Sequence, residues 1–466
     1  MIISFLLFLG IFFLIGISSY FFSRRTGSDY YIASRSIPAW LVGLSAVATN
    51  NSGYMFIGVI GFTFTTGLSS IWLMTGWISG DFLASLFVHS RLRKASSDSN
   101  ELSYAGVISH WHNNRYQLLQ RIMAVVSIIF LLAYASAQMV AGGKALYVLF
   151  DWPSWAGAAI TAFIVMAYCL AGGIRASIWT DAAQSFVMII AMGLLLFTAI
   201  NSLGGIEQSY IEMNKIEGFL NWFPDDLILS GSIGMLLFCV GWLFAGLSVI
   251  GQPHIMVRFM TLNDSDKMLN ARFWYYTWFI LFYFITSAVG MLSRVHLSGV
   301  ADFDAELALP TMAIQLLPPA LVGLVLAGMF AATMSTADSL ILSCSASLTH
   351  DLIPHRLEKV WMLKMVTVLM TLLALAWALL NTQSVFSLVI MAWSALASAF
   401  APILLILVLG GRLTQTVAIS MLFAGMFVAI IWRLLNLHLY VYEGMLGILT
   451  GLLLYYVWNK FLMIKN

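Results

Sequence analysis

Residues 48–54 read ATNNSGY, and residues 246–254 read GLSVIGQPH. Both stretches lie in the middle of long apolar segments, where Asn, Ser, Gly and Pro interrupt the apolar pattern. A continuous helix satisfies its own backbone groups in lipid, whereas a broken helix frees amides and carbonyls at membrane depth. Such breaks are tolerated where they line a buried site, typically one for an ion or a small solute. The two interruptions therefore predict a membrane protein whose discontinuous helices surround a binding site.

The composition supports a polytopic membrane protein. Hydrophobic residues make up 61% and charged residues 9% of the chain, against about 25% charged residues in an average soluble domain. The formal net charge of +2 gives no indication of nucleic-acid binding. The sequence contains no CxxC, HExxH or GxSxG motif, and little of it remains for a soluble catalytic domain. We therefore expect neither an enzyme nor a nucleic-acid-binding protein. Cys169, Cys239 and Cys344 lie in apolar runs, and we expect buried thiols rather than disulfides or metal ligands.

Apolar segments of about 20 residues are long enough to span a bilayer. Thirteen such spans are predicted, at 2–23, 40–65, 69–89, 122–148, 155–173, 180–203, 230–256, 273–293, 316–348, 359–380, 385–410, 414–433 and 438–460. The first has no basic leading region and no small-residue cleavage site, so we interpret it as a retained span rather than a signal peptide. We expect the N-terminus outside and the C-terminus inside a plasma membrane, which in bacteria is the cytoplasmic membrane.

The distribution of basic residues supports this orientation. Of the 22 Lys and Arg residues, eighteen fall in segments that this topology places inside, Arg258 and Arg356 among them. The four on the outer side are Lys144, Lys215, Arg294 and Arg433. Cytoplasmic loops carry such an excess of positive charge. A missed or extra span would reverse the sides of every loop that follows it.

The second and seventh spans contain the two breaks and lie five spans apart, so they cross the membrane in opposite directions. This spacing is typical of two five-helix units related by a twofold axis in the membrane plane. We predict an all-α fold in one transmembrane domain, residues 1–466. It consists of an extra N-terminal helix (2–23), a first repeat (40–203), a second repeat (230–410) and two C-terminal helices (414–460).

Acidic residues inside membrane spans are costly and usually functional, and the two clearest cases here are Asp181 and Asp338. Asp181 in the sixth span and Asp338 in the ninth both fall in the inner half of the membrane. Around Asp338 the i, i+3, i+4, i+7 spacing predicts one polar helix face, formed by Ala332, Ser335, Thr336 and Ser339. Hydroxyl and carbonyl oxygens beside a carboxylate suit a hard cation such as Na⁺. Without such a partner, Ser and Thr hydroxyls more often bond back to their own helix.

Two further polar residues each have two interpretations. Asp81 in the third span pairs with a neighbouring side chain or faces a water-filled cavity. His254, directly after Pro253, donates to carbonyls that the break has freed or takes up a proton. The sequence leaves both questions open.

The stretch 251–260, GQPHIMVRFM, resembles the sodium:solute symporter family and is most similar to its proline-transporting members. The resemblance extends over essentially the whole chain and includes the run 334–352, Trp179-Thr180-Asp181, Ser52-Gly53 and Arg35. It implies a LeuT-type fold and secondary active symport, in which inward Na⁺ movement drives solute uptake by alternating access. The implied solute is an amino acid such as proline, or another small polar or carboxylate metabolite. Na⁺ is the implied coupling ion, and we expect no cofactor and no obligate protein partner.

The resemblance also implies the ligands. The sodium site would consist of the backbone carbonyls of Ala48, Asn51 and Ala332 and the hydroxyls of Ser335 and Thr336. Some members of the family have a further cation site toward the cytoplasm, whose positions here fall on Asp181, Ser335, Asp338 and Ser339. Two carboxylates there would bind a cation or share a proton. The expected solute contacts are Asn50, Ser52, Gly53, Tyr54, Tyr134, Gln138, Ser248, Gln252 and Pro253.

The chain departs from the proline-transporting members around the solute. Asn50 replaces an acidic residue and Tyr54 replaces a Trp, while Ala245 and Val249 replace two aromatic residues of the seventh span. These departures leave the solute undetermined. Proton coupling is an alternative to Na⁺ because of Asn50 and the two buried carboxylates. A nutrient sensor is a second alternative, which the lack of a signalling module in this sequence disfavours.

Overall fold

The computed structural model describes residues 1–227, 229–297, 303–353, 359–380 and 384–465. Arg356, one of the predicted inner cations, lies outside these ranges. Within them the regular structure is helical, and the β-type pairing consists of one isolated bridge between Ile37 and Leu262. Cys169 and Cys344 are buried as expected, whereas Cys239 is half-buried, and all three are free thiols.

The first nine α-helices are α1 (Ile2–Ser18), α2 (Gly27–Ile32), α3 (Ala39–Asn50), α4 (Ile60–Thr66), α5 (Ile71–Ser99), α6 (Tyr104–Ser109), α7 (Gln117–Phe150), α8 (Ser154–Ser202) and α9 (Ile206–Asn214). They are followed by α10 (Gly231–Leu247), α11 (Pro253–Met260), α12 (Met268–His296), α13 (Ala308–Leu316), α14 (Pro319–Ala346), α15 (Val360–Leu380), α16 (Val385–Val408), α17 (Gln415–Leu434) and α18 (Glu443–Lys465). Short 3₁₀ turns join several of them, and π-helical turns precede α4 and follow α14.

Ten described helical segments are long and apolar enough to cross a membrane. Two of them, Tyr54–Ser99 and Trp155–Ser202, are 46 and 48 residues long. At 1.5 Å per residue each would extend roughly 70 Å, about twice the hydrocarbon thickness. The backbone breaks both segments at glycines with positive φ, Gly67 at 64° and Gly173 at 58°. A Cβ at Gly173 would lie 2.5 Å from the carbonyl oxygen of Tyr30, so only glycine fits this turn.

Both predicted helix breaks are present. Helix α3 ends at Asn50, and Asn51 leaves helical geometry at φ −92° and ψ 70° before the chain resumes as a π-helical turn. Helix α10 ends at Leu247, and Gln252 is extended at φ −100° and ψ 101°. Pro253 then begins α11, where its missing N–H costs no intrahelical hydrogen bond. The two breaks therefore leave backbone groups without helical partners inside the bundle.

Helices α14 and α16 form the centre of the bundle. In the most apolar 18-residue stretch of each helix, 89% of the residues are buried, compared with 28% for α1 and 33% for α17. Helix α14 packs against α3, α7 and α8, and α16 packs against α7 and α18. Small residues such as Ala331, Ala332 and Ser335 allow this close approach. The middle of α14 consequently lies against the end of α3.

Candidate ion and solute site

The end of α3 contacts the polar face of α14. A helix leaves its last carbonyls without intrahelical donors, and hydroxyls of α14 supply them here. Ser335 Oγ lies 3.1 Å from the carbonyl oxygens of both Ala48 and Ala332. Thr336 Oγ1 donates to the carbonyl oxygen of Thr49 at 2.8 Å. The structure thus brings together Ala48, Ala332, Ser335 and Thr336, four of the five predicted sodium ligands.

Asn51, the fifth predicted ligand, follows the last residue of α3. Its Nδ2 donates to the carbonyl oxygen of Val47 at 2.8 Å. Its Oδ1 is buried without a hydrogen-bond partner among the described residues. Thr49, which the sequence analysis did not single out, contributes its carbonyl and places Oγ1 3.1 Å from Ser339 Oγ. Neutral carbonyl and hydroxyl oxygens of this kind are hard-cation ligands.

The two buried carboxylates meet at an arginine. Nη2 of Arg258, on α11, lies 3.3 Å from Oδ2 of Asp181 and 3.5 Å from Oδ1 of Asp338. All three side chains are 0% exposed. Ser45 Oγ donates to Asp181 at 2.7 Å, and Ser339 Oγ donates to Asp338 at 2.9 Å while also contacting Arg258. We refer to Asp181, Arg258 and Asp338 as the charged triad.

Arg258, predicted in an inner segment just beyond the seventh span, is fully buried in α11. Helix α11 continues to Met260, and Arg258 lies one turn beyond His254 inside the bundle. Two buried carboxylates require a counter-charge, and that requirement was the signal for Arg258 in the sequence. Ser335 contacts the end of α3 rather than either carboxylate in the described hydrogen bonds. Of the four positions implied for the further cation site, the structure therefore groups Asp181, Asp338 and Ser339.

Side chains of α7 and α12 hold the first break. The backbone N–H of Gly53 donates to Gln138 Oε1 at 2.9 Å, and Tyr134 donates from its hydroxyl to Ser52 Oγ at 3.2 Å. Asn50 Nδ2 donates to the hydroxyl oxygen of Tyr275, on α12, at 2.6 Å. The predicted solute contacts Asn50, Ser52, Gly53, Tyr134 and Gln138 therefore lie together.

An aromatic wall lies beside this break. The ring of Tyr54 lies 5.9 Å from Trp77 and 5.3 Å from Phe386, and Trp77 lies 5.0 Å from Trp393. The indole Nε1 of Trp393 donates to the carbonyl oxygen of Ala245 at 3.0 Å. Indoles from α5 and α16 therefore line the region where the seventh predicted span carries Ala245.

The second break contacts α16 and the chain before α18. Gln252 Nε2 donates to the carbonyl oxygen of Trp393 at 2.9 Å. Ser248 Oγ donates to the carbonyl oxygen of Phe244 at 2.7 Å and receives the hydroxyl of Tyr442 at 3.1 Å. Ser248 is thus already bonded on two sides.

His254 does not donate to the carbonyls that the break frees, so that interpretation was wrong. Neither of its ring nitrogens has a hydrogen-bond partner among the described residues. Its ring instead contacts Tyr134 edge-on, at a centroid distance of 5.5 Å. Pro253, just before it, is buried and lines a cavity that extends toward Arg258.

Several buried polar atoms between the two breaks have no hydrogen-bond partner in the described part of the chain. They are Asn50 Oδ1, Asn51 Oδ1, Tyr54 Oη, Gln138 Nε2, Gln252 Oε1 and both ring nitrogens of His254. Each such atom costs about 1–3 kcal/mol when it stays unsatisfied. Native structures tolerate few of them outside sites that water, ions or ligands occupy. These atoms make the region of the two breaks a candidate ligand site.

Two neighbouring cavities lie on the predicted inner side of the site. One has a volume of about 20 Å³ and is lined by Pro253, Arg258 and Ser339, among others. The other has a volume of about 550 Å³ and is lined by Glu101 and Arg121, among others. Both cavities are lined by Tyr31 and Leu102, so they lie next to each other.

Glu101, which lines the larger cavity, lies in the short segment that connects α5 to α6, outside the predicted spans. Its carboxylate contacts His350 Nε2 at 2.6 Å and His110 Nδ1 at 3.3 Å. Burial raises the pKa of Glu101, but the hydrogen bond to His350 and the charges of His350 and His110 together lower it by more, so the pKa lies below its ordinary value. Glu101 is therefore a negative charge at the larger cavity at neutral pH.

Discontinuous helices around a buried oxygen-rich site define a membrane carrier, and the comparison with known proteins agrees. Residues 30–425 match the sodium:solute symporter family, and the chain belongs to that family. The family resemblance predicted from the sequence is confirmed. The protein is a membrane-embedded transporter and not an enzyme.

The relatives include proline carriers. The chain is 30% identical over 447 residues to the sodium/proline symporter of Escherichia coli (strain K12), covering 92% of this chain and 87% of the relative. It is 28% identical to the high-affinity proline transporter of Bacillus subtilis (strain 168), covering 93% of each chain. A substrate-bound, outward-open structure of a Na⁺-coupled sialic acid symporter superposes with a TM-score of 0.79 at 17% identity, covering 97% and 95%. This superposition supports the all-α membrane fold.

Proposed function

We propose that this protein is a Na⁺-coupled symporter that carries a small organic solute into the cell across the plasma membrane. The observation that carries the proposal is the contact of the Ala48 carbonyl, freed by the first break, with Ser335 on α14. A Na⁺ ion at this point would be held by Ala48, Asn51, Ala332, Ser335 and Thr336. The ion would draw the end of α3 onto α14 and so order the break that binds the solute. Each ligand then favours binding of the other by the same free energy.

The proposed topology has thirteen crossings, with the N-terminus outside and the C-terminus inside. The two segments of roughly 70 Å count as two crossings each, and α18 adds one to the ten candidate segments. The contacts support two inverted repeats, 40–203 and 230–410. The packing of α12 on α3 and α4 corresponds to the packing of α5 on α10 and α11 in the other repeat. In the same way, the packing of α7 on α16 corresponds to that of α14 on α8.

The proposed solute is a small zwitterion, and proline is its first candidate because the proline carriers are relatives. The unpartnered atoms include acceptors for an ammonium group, Asn50 Oδ1 and Gln252 Oε1, and a donor for a carboxylate, Gln138 Nε2. The aromatic wall would cover the apolar part of the solute. The proposed contacts remain Asn50, Ser52, Gly53, Tyr54, Tyr134, Gln138, Ser248, Gln252 and Pro253.

We also propose a second cation position at the charged triad. Two carboxylates and one guanidinium leave one negative charge in a fully buried place. An uncompensated buried charge is costly, which supports a monovalent cation beside Asp181, Asp338 and Ser339. Ser335 would join this set only after leaving the end of α3.

The test is uptake of radiolabelled L-proline by proteoliposomes that contain the purified protein. We expect an inward Na⁺ gradient to drive uptake, and an equal K⁺ gradient to drive none. A panel of other amino acids and monocarboxylates, added in excess as competitors, would identify a different solute. Uptake that follows a pH gradient in the absence of Na⁺ would contradict sodium coupling.

The ion site has its own variants. Ser335→Ala combined with Thr336→Ala removes both hydroxyls, and we expect the half-saturating Na⁺ concentration to rise at least about tenfold. Thr371→Ala is the matched control, because this buried hydroxyl on α15 bonds to its own helix at the carbonyl of Thr367. Unchanged Na⁺ dependence in the double variant would show that the ion site is assigned wrongly.

A further inference from the structure

A chain of hydrogen bonds joins the first break to a buried carboxylate on α5. Asn50 Nδ2 lies 2.6 Å from the hydroxyl oxygen of Tyr275, which lies 2.6 Å from Asp81 Oδ2. The hydroxyl of Tyr276 lies 3.1 Å from Asp81 Oδ1. Asp81 is 0% exposed, and no Lys, Arg or His of the described residues forms an ion pair with it. Of its two interpretations, the structure shows the pairing with neighbours.

The direction of each hydrogen bond follows from the chemistry of the groups. A carboxylate only accepts, so both phenols donate their protons to Asp81. The single hydroxyl proton of Tyr275 then lies in the hydrogen bond to Asp81, so the Tyr275 oxygen accepts a hydrogen bond from Asn50. Asn50 must therefore turn its NH₂ group to Tyr275, because an amide is oriented by its partners. Its side-chain carbonyl then faces away from Tyr275, and that Oδ1 is buried without a partner among the described residues.

We infer that Asp81 is a positioning residue that, through Tyr275, fixes the Asn50 side-chain carbonyl as an acceptor for a cationic ligand at the first break. The inference rests on the proposed function and assigns to this atom a positively charged group. That group is either Na⁺ or the ammonium of the solute. Asp81 touches neither ligand and acts from the opposite end of the hydrogen-bonded chain.

The test uses two phenols that differ only in their contact with Asn50. Both donate to Asp81, but Tyr275 alone of the two is hydrogen-bonded to Asn50. The half-saturating Na⁺ concentration is measured from the rise in the unfolding temperature of the purified protein in NaCl compared with KCl. Half-saturating L-proline is measured the same way at saturating NaCl.

We expect Tyr275→Phe to raise one of these two concentrations about tenfold, and Tyr276→Phe to stay within about twofold of the wild type. A shift in the Na⁺ curve assigns Asn50 Oδ1 to the ion, and a shift in the proline curve alone assigns it to the ammonium. The inference is overturned if neither curve shifts in Tyr275→Phe, or if the two variants shift alike.

The stricter test reverses the direction of the hydrogen bonds that join Asn50, Tyr275 and Asp81. In Asn50→Asp combined with Asp81→Asn, the new amide donates to Tyr275, and Tyr275 donates to the new carboxylate, which keeps one acceptor oxygen at the break. We expect this pair to bind within about threefold of the wild type, while each single variant is weaker by about tenfold or more. Asn50→Asp alone makes two carboxylates compete for one phenol proton. A pair no better than the weaker single variant overturns the inference.

A failure of the proposed function is distinguishable from a failure of the hydrogen-bonded link between Asp81 and Asn50. Absence of Na⁺-driven uptake by the wild type contradicts the proposed function. The hydrogen bonds between Asp81, Tyr275 and Asn50 can then still be measured by infrared spectroscopy. The bands of Asp81 are assigned by subtracting the spectrum of Asp81→Asn. They shift in Tyr275→Phe whether or not transport occurs, and unshifted bands overturn the hydrogen-bonded chain itself.

Discussion

Replacement of Arg258 by methionine tests the charged triad directly. Arg258 is fully buried and is the one described basic residue in ion-pair contact with Asp181 and Asp338. Methionine has a similar length without the charge, so Arg258→Met leaves two buried carboxylates with no counter-charge. Removal of one partner from a buried ion pair costs about 3–5 kcal/mol. The variant also leaves Ser177 and Ser339 without the donor that they contact.

The expected shift in unfolding temperature follows from the chain length. An unfolding entropy of about 2.1 cal/mol/K per residue gives roughly 1 kcal/mol/K for a chain of 466 residues. A loss of about 4 kcal/mol therefore lowers the midpoint by about 4 °C. The assay is intrinsic tryptophan fluorescence of detergent-purified protein during heating. Arg24→Met is the matched control, because Arg24 is exposed and its side chain makes no described hydrogen bond.

A second substitution separates charge from packing. Asp338→Asn in the Arg258→Met background removes one of the two uncompensated charges, so we expect it to restore part of the lost stability. If the loss came from side-chain volume alone, the second substitution would add to the damage. A midpoint for Arg258→Met within about 1 °C of the wild type would refute the reasoning.

Three further predictions test other parts of the structure. Glu306→Gln removes an ion pair with α7 and weakens the cap on the first N–H groups of α16, and we expect a loss of about 1–3 kcal/mol in thermal unfolding. Gly173→Ala places a Cβ against a carbonyl at φ 58° and should destabilise by more than about 1 kcal/mol, whereas Gly193→Ala has open space and should stabilise slightly. The lowered pKa of Glu101 means that its contact with His350 stabilises above the ordinary value of 4.5 and is lost as pH falls below it. Unfolding temperatures of wild type and Glu101→Gln should therefore converge as pH falls from about 5.5 to about 3, and a difference that stays constant over this range would contradict this.

The sequence by itself determined the class of protein, the family and the places where helices break. Polar residues and proline inside apolar segments have few acceptable structures in lipid, because the backbone must find hydrogen-bond partners within the protein. The breaks at Asn51 and Gln252 are therefore local consequences of composition. The polar face of α14 follows from helical periodicity in the same way, and it does bring Ser335 and Thr336 to the end of α3.

Only the tertiary structure decided which distant groups meet. In the sequence Arg258 follows the seventh predicted span as one of many inner cations, yet it lies between two carboxylates from other helices. Asp81 is an isolated acid in the sequence, and its link to Asn50 depends on Tyr275 of α12, about two hundred residues further along the chain. Local patterns encode the exposure and the secondary structure of a segment, whereas the pairing of buried charges and hydrogen-bond donors depends on how helices pack. That packing is a property of the whole bundle, because a buried polar group is stabilised only by the partner that the fold brings within reach.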